Sequence, residues 1–204
     1  MPRLLLSLCL VAAAGCALPG ARAAAVEVLV ADAAGKPLAG AAVFLESKDA
    51  RAAVRPGPMV DVVQVQRQFQ PTVSVVTVGT AVNFPNRDTV RHHVYSFSPV
   101  KKFEIKLYVG TPAAPVVFDS PGIAALGCNI HDSMAAWVVV VDTPHHGLTG
   151  PDGKLSLPGV PAGAYRLRAW HPGMPPGAAA LDQGLQVPAT GTQAVALKLA
   201  GVAQ

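Results

Sequence analysis

The sequence predicts an all-β protein built from β-sandwiches, and three observations predict it. First, Val is abundant, Gly and Pro number 19 each in 204 residues, and aromatics are only 5 %. That composition favours short strands joined by tight turns. Second, apolar and polar residues alternate in short runs bounded by turn residues, the period of a strand with one buried face. Third, no long amphipathic helical pattern occurs after the first two dozen residues. Hydrophobic residues at 51 % against charged residues at 14 % supply enough apolar surface for a sizeable core, which excludes a disordered chain. The formal charge of +4 is weak and scattered, so nothing argues for nucleic acid as a partner.

The N-terminus has Arg3, an apolar run from Leu4 to Ala14, and the small-residue site Ala21-Arg22-Ala23. A positive start, a short apolar centre and an A-x-A site describe a secretory signal, with cleavage expected after Ala23. The run is too short to span a membrane, and the mature chain has no transmembrane segment. Periplasmic localisation follows. Lipid attachment at Cys16 is the lesser expectation, because Ala13 stands where a larger apolar residue is usual. Cleavage removes Arg3, Arg22, Cys9 and Cys16 and leaves Cys128 as a lone cysteine. A lone thiol in an oxidising compartment is either buried or engaged, and a metal engages the thiolate directly.

In order, Val26–Val30 and Ala41–Leu45 read as strands about the turn Gly35-Lys36-Pro37, and 46–58 as a polar connection. Asp61–Phe69 alternates. Pro71–Val78 is a β-branched run, and Thr80–Phe84 a strand closed by Pro85-Asn86-Arg87-Asp88. His92–Phe97 is a strand. Phe103, Ile105 and Leu107 alternate with Glu104, Lys106 and Tyr108. Val116–Phe118 and Ala124–Leu126 lead to Cys128, and Trp137–Val141 reads as a strand buried on both faces. Asp152-Gly153-Lys154 marks a tight hairpin, followed by strands at 155–157, 164–170 and 194–199, with 172–180 a loop. Residues 26–45 and 145–200 share a texture that 59–143 lacks.

The segment Gly127-Cys128-Asn129-Ile130-His131-Asp132-Ser133-Met134 places a thiolate, an imidazole and a thioether in C-x2-H-x2-M spacing between apolar strands. A soft thiolate with imidazoles and a weak thioether suits copper that cycles between two oxidation states. Zinc would prefer a stronger fourth ligand than Met134. A trigonal site needs a second His. His92-His93-Val94 offers one, because adjacent residues on a strand point to opposite faces and only one of His92 and His93 can join the pocket.

These two segments resemble the ligand segments of the cupredoxins, the type 1 copper proteins of plastocyanin and amicyanin type. The resemblance implies a Greek-key cupredoxin β-sandwich over 59–143. It implies one mononuclear type 1 copper held by His92, Cys128, His131 and Met134, with His93 the alternative to His92. The family often has Asn where His93 stands. Gly35–Ala41 and Asp152–Leu167 resemble the carboxypeptidase regulatory-like, transthyretin-like β-sandwich, which implies a second, smaller sandwich from 24–58 and 144–204. The whole is similar to bacterial periplasmic proteins labelled methylamine utilization protein.

The function expected is single-electron transfer with a periplasmic redox protein, without enzymatic activity. Copper delivery without a redox role and a glycan-binding or adhesion module are the alternatives. Ile130 and Trp137 are expected to form an apolar surround for the metal. Lys101, Lys102 and Lys106 would either steer an acidic partner or blunt a strand edge. His145-His146 reads as a solvated loop pair, and Trp170-His171 as a packing or docking feature.

Overall fold

The computed structural model describes residues 23–203; the rest of the expected leader, Cys16 included, lies outside them. In chain order the elements are β1 Ala24–Asp32, β2 Ala42–Glu46, α1 Lys48–Ala53, β3 Val60–Asp61, β4 Val63–Val65, β5 Gln68–Gln70, β6 Val73–Thr77, β7 Thr80–Asn83 and β8 His92–Ser96. There follow β9 Phe103–Tyr108, β10 Val116–Phe118, β11 Gly122–Gly127, β12 Ala135–Val141, β13 His146–Leu148, β14 Lys154–Val160, β15 Gly163–Trp170, β16 Leu181–Val187 and β17 Thr192–Leu199. The described residues are all-β apart from the six-residue helix α1.

The strands form two sandwiches. In one, the sheet β14-β1-β17 and the sheet β13-β2-β15-β16 share a core of Val26, Val28, Val30, Val43, Leu45, Leu167, Leu197 and Leu199. In the other, the sheet β6-β12-β11-β8-β9 and the sheet β10-β7-β3 enclose Val76, Val82, Phe84, Val94, Phe118, Leu126, Val138 and Val140. The small hairpin β4-β5 flanks the second sandwich.

A third core joins the two. Ala42 and Phe44 of β2 and Trp170 of β15 pack with Val73 of β6 and with Val139 and Val141 of β12. On β2, Val43 and Leu45 face one core while Ala42 and Phe44 face the next. On β12, Val138 and Val140 face one core and Val139 and Val141 the other. This is why both strands read as unbroken apolar runs: alternate faces are both buried. Each such Val, Leu or Phe side chain contributes roughly 1.5–3 kcal/mol of burial.

Several local features differ from the sequence expectation. The connection 46–58 contains α1, capped by the Ser47 hydroxyl, which accepts from the Ala50 N–H at 3.0 Å. Asp61–Phe69 is not one alternating strand. It divides into β3, which pairs with β7, and the hairpin β4-β5, where Gln66 and Arg67 adopt φ of 54° and 56° and reverse the chain. The turn at Asp152-Gly153-Lys154 forms, but β13 and β14 on its two sides belong to different sheets, so it is no hairpin. The polar strand β16 pairs along its whole length with β15.

Candidate metal centre

Strand β8 begins at His92, and the loop 128–134 joins β11 to β12. Gly127 stands opposite Tyr95 in an antiparallel register, so the residues after Gly127 run past the start of β8. A Cβ on Gly127 would lie 2.6 Å from the Tyr95 ring and hydroxyl, so any larger residue here has to push the Tyr95 side chain aside. The loop is tightened by the Met134 N–H, which donates to the His131 carbonyl at 3.0 Å.

This register brings three ligand atoms together. One from each of His92, Cys128 and His131 lie within 4.8 Å of one another. The His92 and His131 rings meet edge to face with centroids 5.1 Å apart. Cys128 is a free thiol at 4 % exposure, His92 is fully buried, and His131 lies at the margin toward solvent. The Nδ1 atoms of His92 and His131 are buried with no hydrogen-bond partner among the described residues. Buried polar atoms are nearly always satisfied. His93 Nδ1 is equally bare, so it is the convergence of two imidazoles on a buried thiol that makes a donor set fit for a soft or borderline metal ion. Met134, 2 % exposed, belongs to the same core cluster as Cys128.

His92 is oriented from behind. Its Nε2 lies 2.7 Å from Asp88 Oδ2, and the Asp88 carboxylate accepts the Gln66 N–H at 2.7 Å and the Arg67 N–H at 2.9 Å. Burial works to raise the Asp88 carboxyl, but those amides and His92 outweigh it and hold it below the usual carboxylate range. Asn86 braces the turn: its side-chain amide donates to the Val90 and Tyr108 carbonyls at 2.9 Å, and its oxygen accepts from the Asp88 N–H at 2.9 Å. The Tyr108 hydroxyl donates to the Phe84 carbonyl at 2.6 Å. Burial first, and then proximity to Cys128, push it up to about 12 against the Gln64 hydrogen bond, so it stays a donor.

His93 faces the other way. Its Nε2 lies 2.9 Å from Glu104 Oε1 and its ring lies against Tyr95, with centroids 5.5 Å apart. Of the expected apolar surround, Ile130 is 46 % exposed and Trp137 packs on Trp170 at 6.0 Å in the core between the sandwiches. Neither encloses the His92, Cys128 and His131 cluster, because Ile130 sits on the outside of the loop and Trp137 on the face of β12 that packs toward the other sandwich. His145 and His146 are half-buried and held below the usual imidazole range by desolvation, so they are not a solvated pair. Lys101 pairs with Asp119 at 3.0 Å. Asp88 and Asn86 escaped the sequence reading; the signal was a carboxylate four residues before a histidine, within an Asn-x-Asp turn.

Among the described residues no helix is long and apolar enough to cross a membrane. No family model matches the chain, and no curated protein matches it. Among solved structures, a purple cupredoxin from Nitrosopumilus maritimus is 19 % identical, covers 40 % of this chain and 99 % of its own, and gives a TM-score of 0.36. A reduced amicyanin variant is 24 % identical over 48 % of this chain and 98 % of its own, with a TM-score of 0.37. The copper-containing nitrite reductase of Thermus scotoductus SA-01 is 25 % identical over 56 % of this chain but only 28 % of its own, with a TM-score of 0.38. Each is a protein that part of this chain is similar to.

Proposed function

We propose that this chain is a periplasmic mononuclear copper protein that carries single electrons between redox partners and catalyses no reaction. The observation that carries the reading is the convergence of His92, Cys128 and His131 within 4.8 Å, with both imidazole Nδ1 atoms bare and buried. Copper, when bound, supplies a one-electron couple between Cu(II) and Cu(I). Cys128 offers the thiolate, His92 and His131 the two imidazoles, and Met134 the weak axial thioether. The Cys128 thiol is shut away from water by the surrounding apolar core, and the strands on either side hold the ligand residues in one arrangement. A rigid arrangement lowers the reorganisation that accompanies electron arrival. The residues 59–143 would form the copper domain, and 24–58 with 144–204 a transthyretin-like companion.

The experiment is reconstitution of the purified protein with Cu(II), followed by visible absorption and metal counting. The expected result is one copper per chain, an intense thiolate-to-copper band, and reversible one-electron cycling. Cys128→Ser should abolish the band. A colourless copper-loaded protein, or tight stoichiometric zinc with no affinity for copper, would overturn the proposal.

A further inference from the structure

We propose that the left-handed turn at Gln66-Arg67 is a clamp that holds the Asp88 carboxylate, and that Asp88 so held is a positioning residue that presents His92 with its Nδ1 bare. The inference rests on His92 being a ligand, as proposed above, and adds to it a device outside the ligand set.

Three observations carry it. First, both carboxylate oxygens of Asp88 are engaged from the hairpin β4-β5: Oδ1 accepts the Gln66 N–H at 2.7 Å and Oδ2 accepts the Arg67 N–H at 2.9 Å. Two backbone donors favour the ionised carboxylate, which can only accept. The hydrogen between Asp88 Oδ2 and His92 Nε2, 2.7 Å apart, therefore belongs to His92. A neutral imidazole protonated on Nε2 has its lone pair on Nδ1, which is the buried atom left without a partner.

Second, the amides reach Asp88 only because two consecutive residues with side chains hold φ of 54° and 56°. A two-residue hairpin turn of this hand is normally filled by Asn and Gly. Gln and Arg stand here instead, in a region that such residues rarely occupy. Their conformation is held by the same carboxylate that they fix.

Third, the hairpin is fastened to the turn that carries Asp88. The Gln64 N–H donates to the Pro85 carbonyl, and the Arg87 N–H to the Gln64 carbonyl, both at 2.8 Å. The Asp88 N–H donates to Asn86 Oδ1 at 2.9 Å. The carboxylate is thus held at both ends, through its backbone and through its oxygens. A ligand imidazole backed by a fixed carboxylate is oriented before any metal arrives. The retained negative charge stabilises the more highly charged ion, so it favours Cu(II) over Cu(I).

The test begins with the unmutated, metal-free protein, where nitrogen and proton NMR reads the tautomer of His92. The expected result is a proton on Nε2 in slow exchange and strongly downfield amide protons for Gln66 and Arg67. Asp88→Asn should release that Nε2 proton to fast exchange and move both amides upfield. In the copper-loaded variant, the Cu(II)-to-Cu(I) affinity ratio should fall about tenfold, a rise of about 59 mV for one electron. A proton on Nδ1 in the metal-free protein overturns the clamp, whether or not the variant folds. So does an Asp88→Asn variant that keeps the tautomer, the amide shifts and the potential. Failure to bind copper in the unmutated protein would sink the copper reading alone, since the metal-free spectrum still decides the clamp.

Discussion

His92 and His93 are chemically identical neighbours with different surroundings. Strand alternation sends one ring toward Cys128 and His131 and the other toward Glu104. Losing a group that merely orients a ligand costs metal affinity about 10–100-fold. If His92 is the ligand proposed above, His92→Ala should cost at least about 100-fold in copper affinity and His93→Gln at most about 10-fold, as read by competition with a coloured chelator. Gly127 is the other decisive single residue. An added methyl would press into the Tyr95 ring, so Gly127→Ala should cost about 1–3 kcal/mol in urea unfolding. Two sequence signals were visible at this scale, the C-x2-H-x2-M spacing and the paired histidines. Asp88 was not, because its part depends on backbone amides 22 and 21 residues upstream that no local pattern links to it.

At the scale of elements, apolar patterning was a good guide wherever one face or both faces of a strand are buried. Strand β12 was legible from Trp137-Val138-Val139-Val140-Val141, because a strand between two cores needs apolar residues at every position. Strand β16 was not. Its Asp182, Gln183, Gly184 and Gln186 are exposed and give no period, and the strand is specified by pairing with β15. The break between β4 and β5 was hidden for a related reason: Gln66-Arg67 carries none of the usual turn residues. Thr149 shows how a single hydroxyl secures an element. It donates to the Leu38 carbonyl at 2.6 Å and accepts from the Ala41 N–H at 2.9 Å, both buried. Thr149→Val leaves both groups unsatisfied, and thermal or urea unfolding should show a loss of about 1–3 kcal/mol.

At the scale of the molecule, the third core couples the sandwiches. Trp170 is 6 % exposed there and leans on Trp137. Trp170→Ala should cost about 3–5 kcal/mol, measured by denaturant unfolding, and should separate the unfolding of the two sandwiches if their coupling is lost. The sandwich built from β1, β2 and β13–β17 also brings a pH dependence. His145, His146 and His171 are each depressed below 6.5, in every case chiefly by burial. In the unfolded chain they take up protons near 6.5, whereas the folded state resists them. The unfolded state therefore binds more protons in that range, and stability rises with pH. Their contribution is fully present above about pH 6.5 and is lost as pH falls through the depressed folded values. Urea midpoints at pH 7.5 and 5.5 should show the decrease, and replacing the three by Gln should flatten it.

The sequence by itself determined that the chain would be all-β, that its most apolar strands would be buried on both faces, and that a thiol, an imidazole and a thioether would share one short loop. These follow from local periodicity and spacing, which are properties of neighbours along the chain. Only the tertiary structure decided that strands at the two ends of the described chain, β1 and β17, pair in parallel, that His92 lies beside Cys128 and His131, and that Asp88 is held by a distant turn. Those outcomes depend on register between segments far apart in sequence, and register is set by which faces can be buried together and which hydrogen bonds must be satisfied when they are.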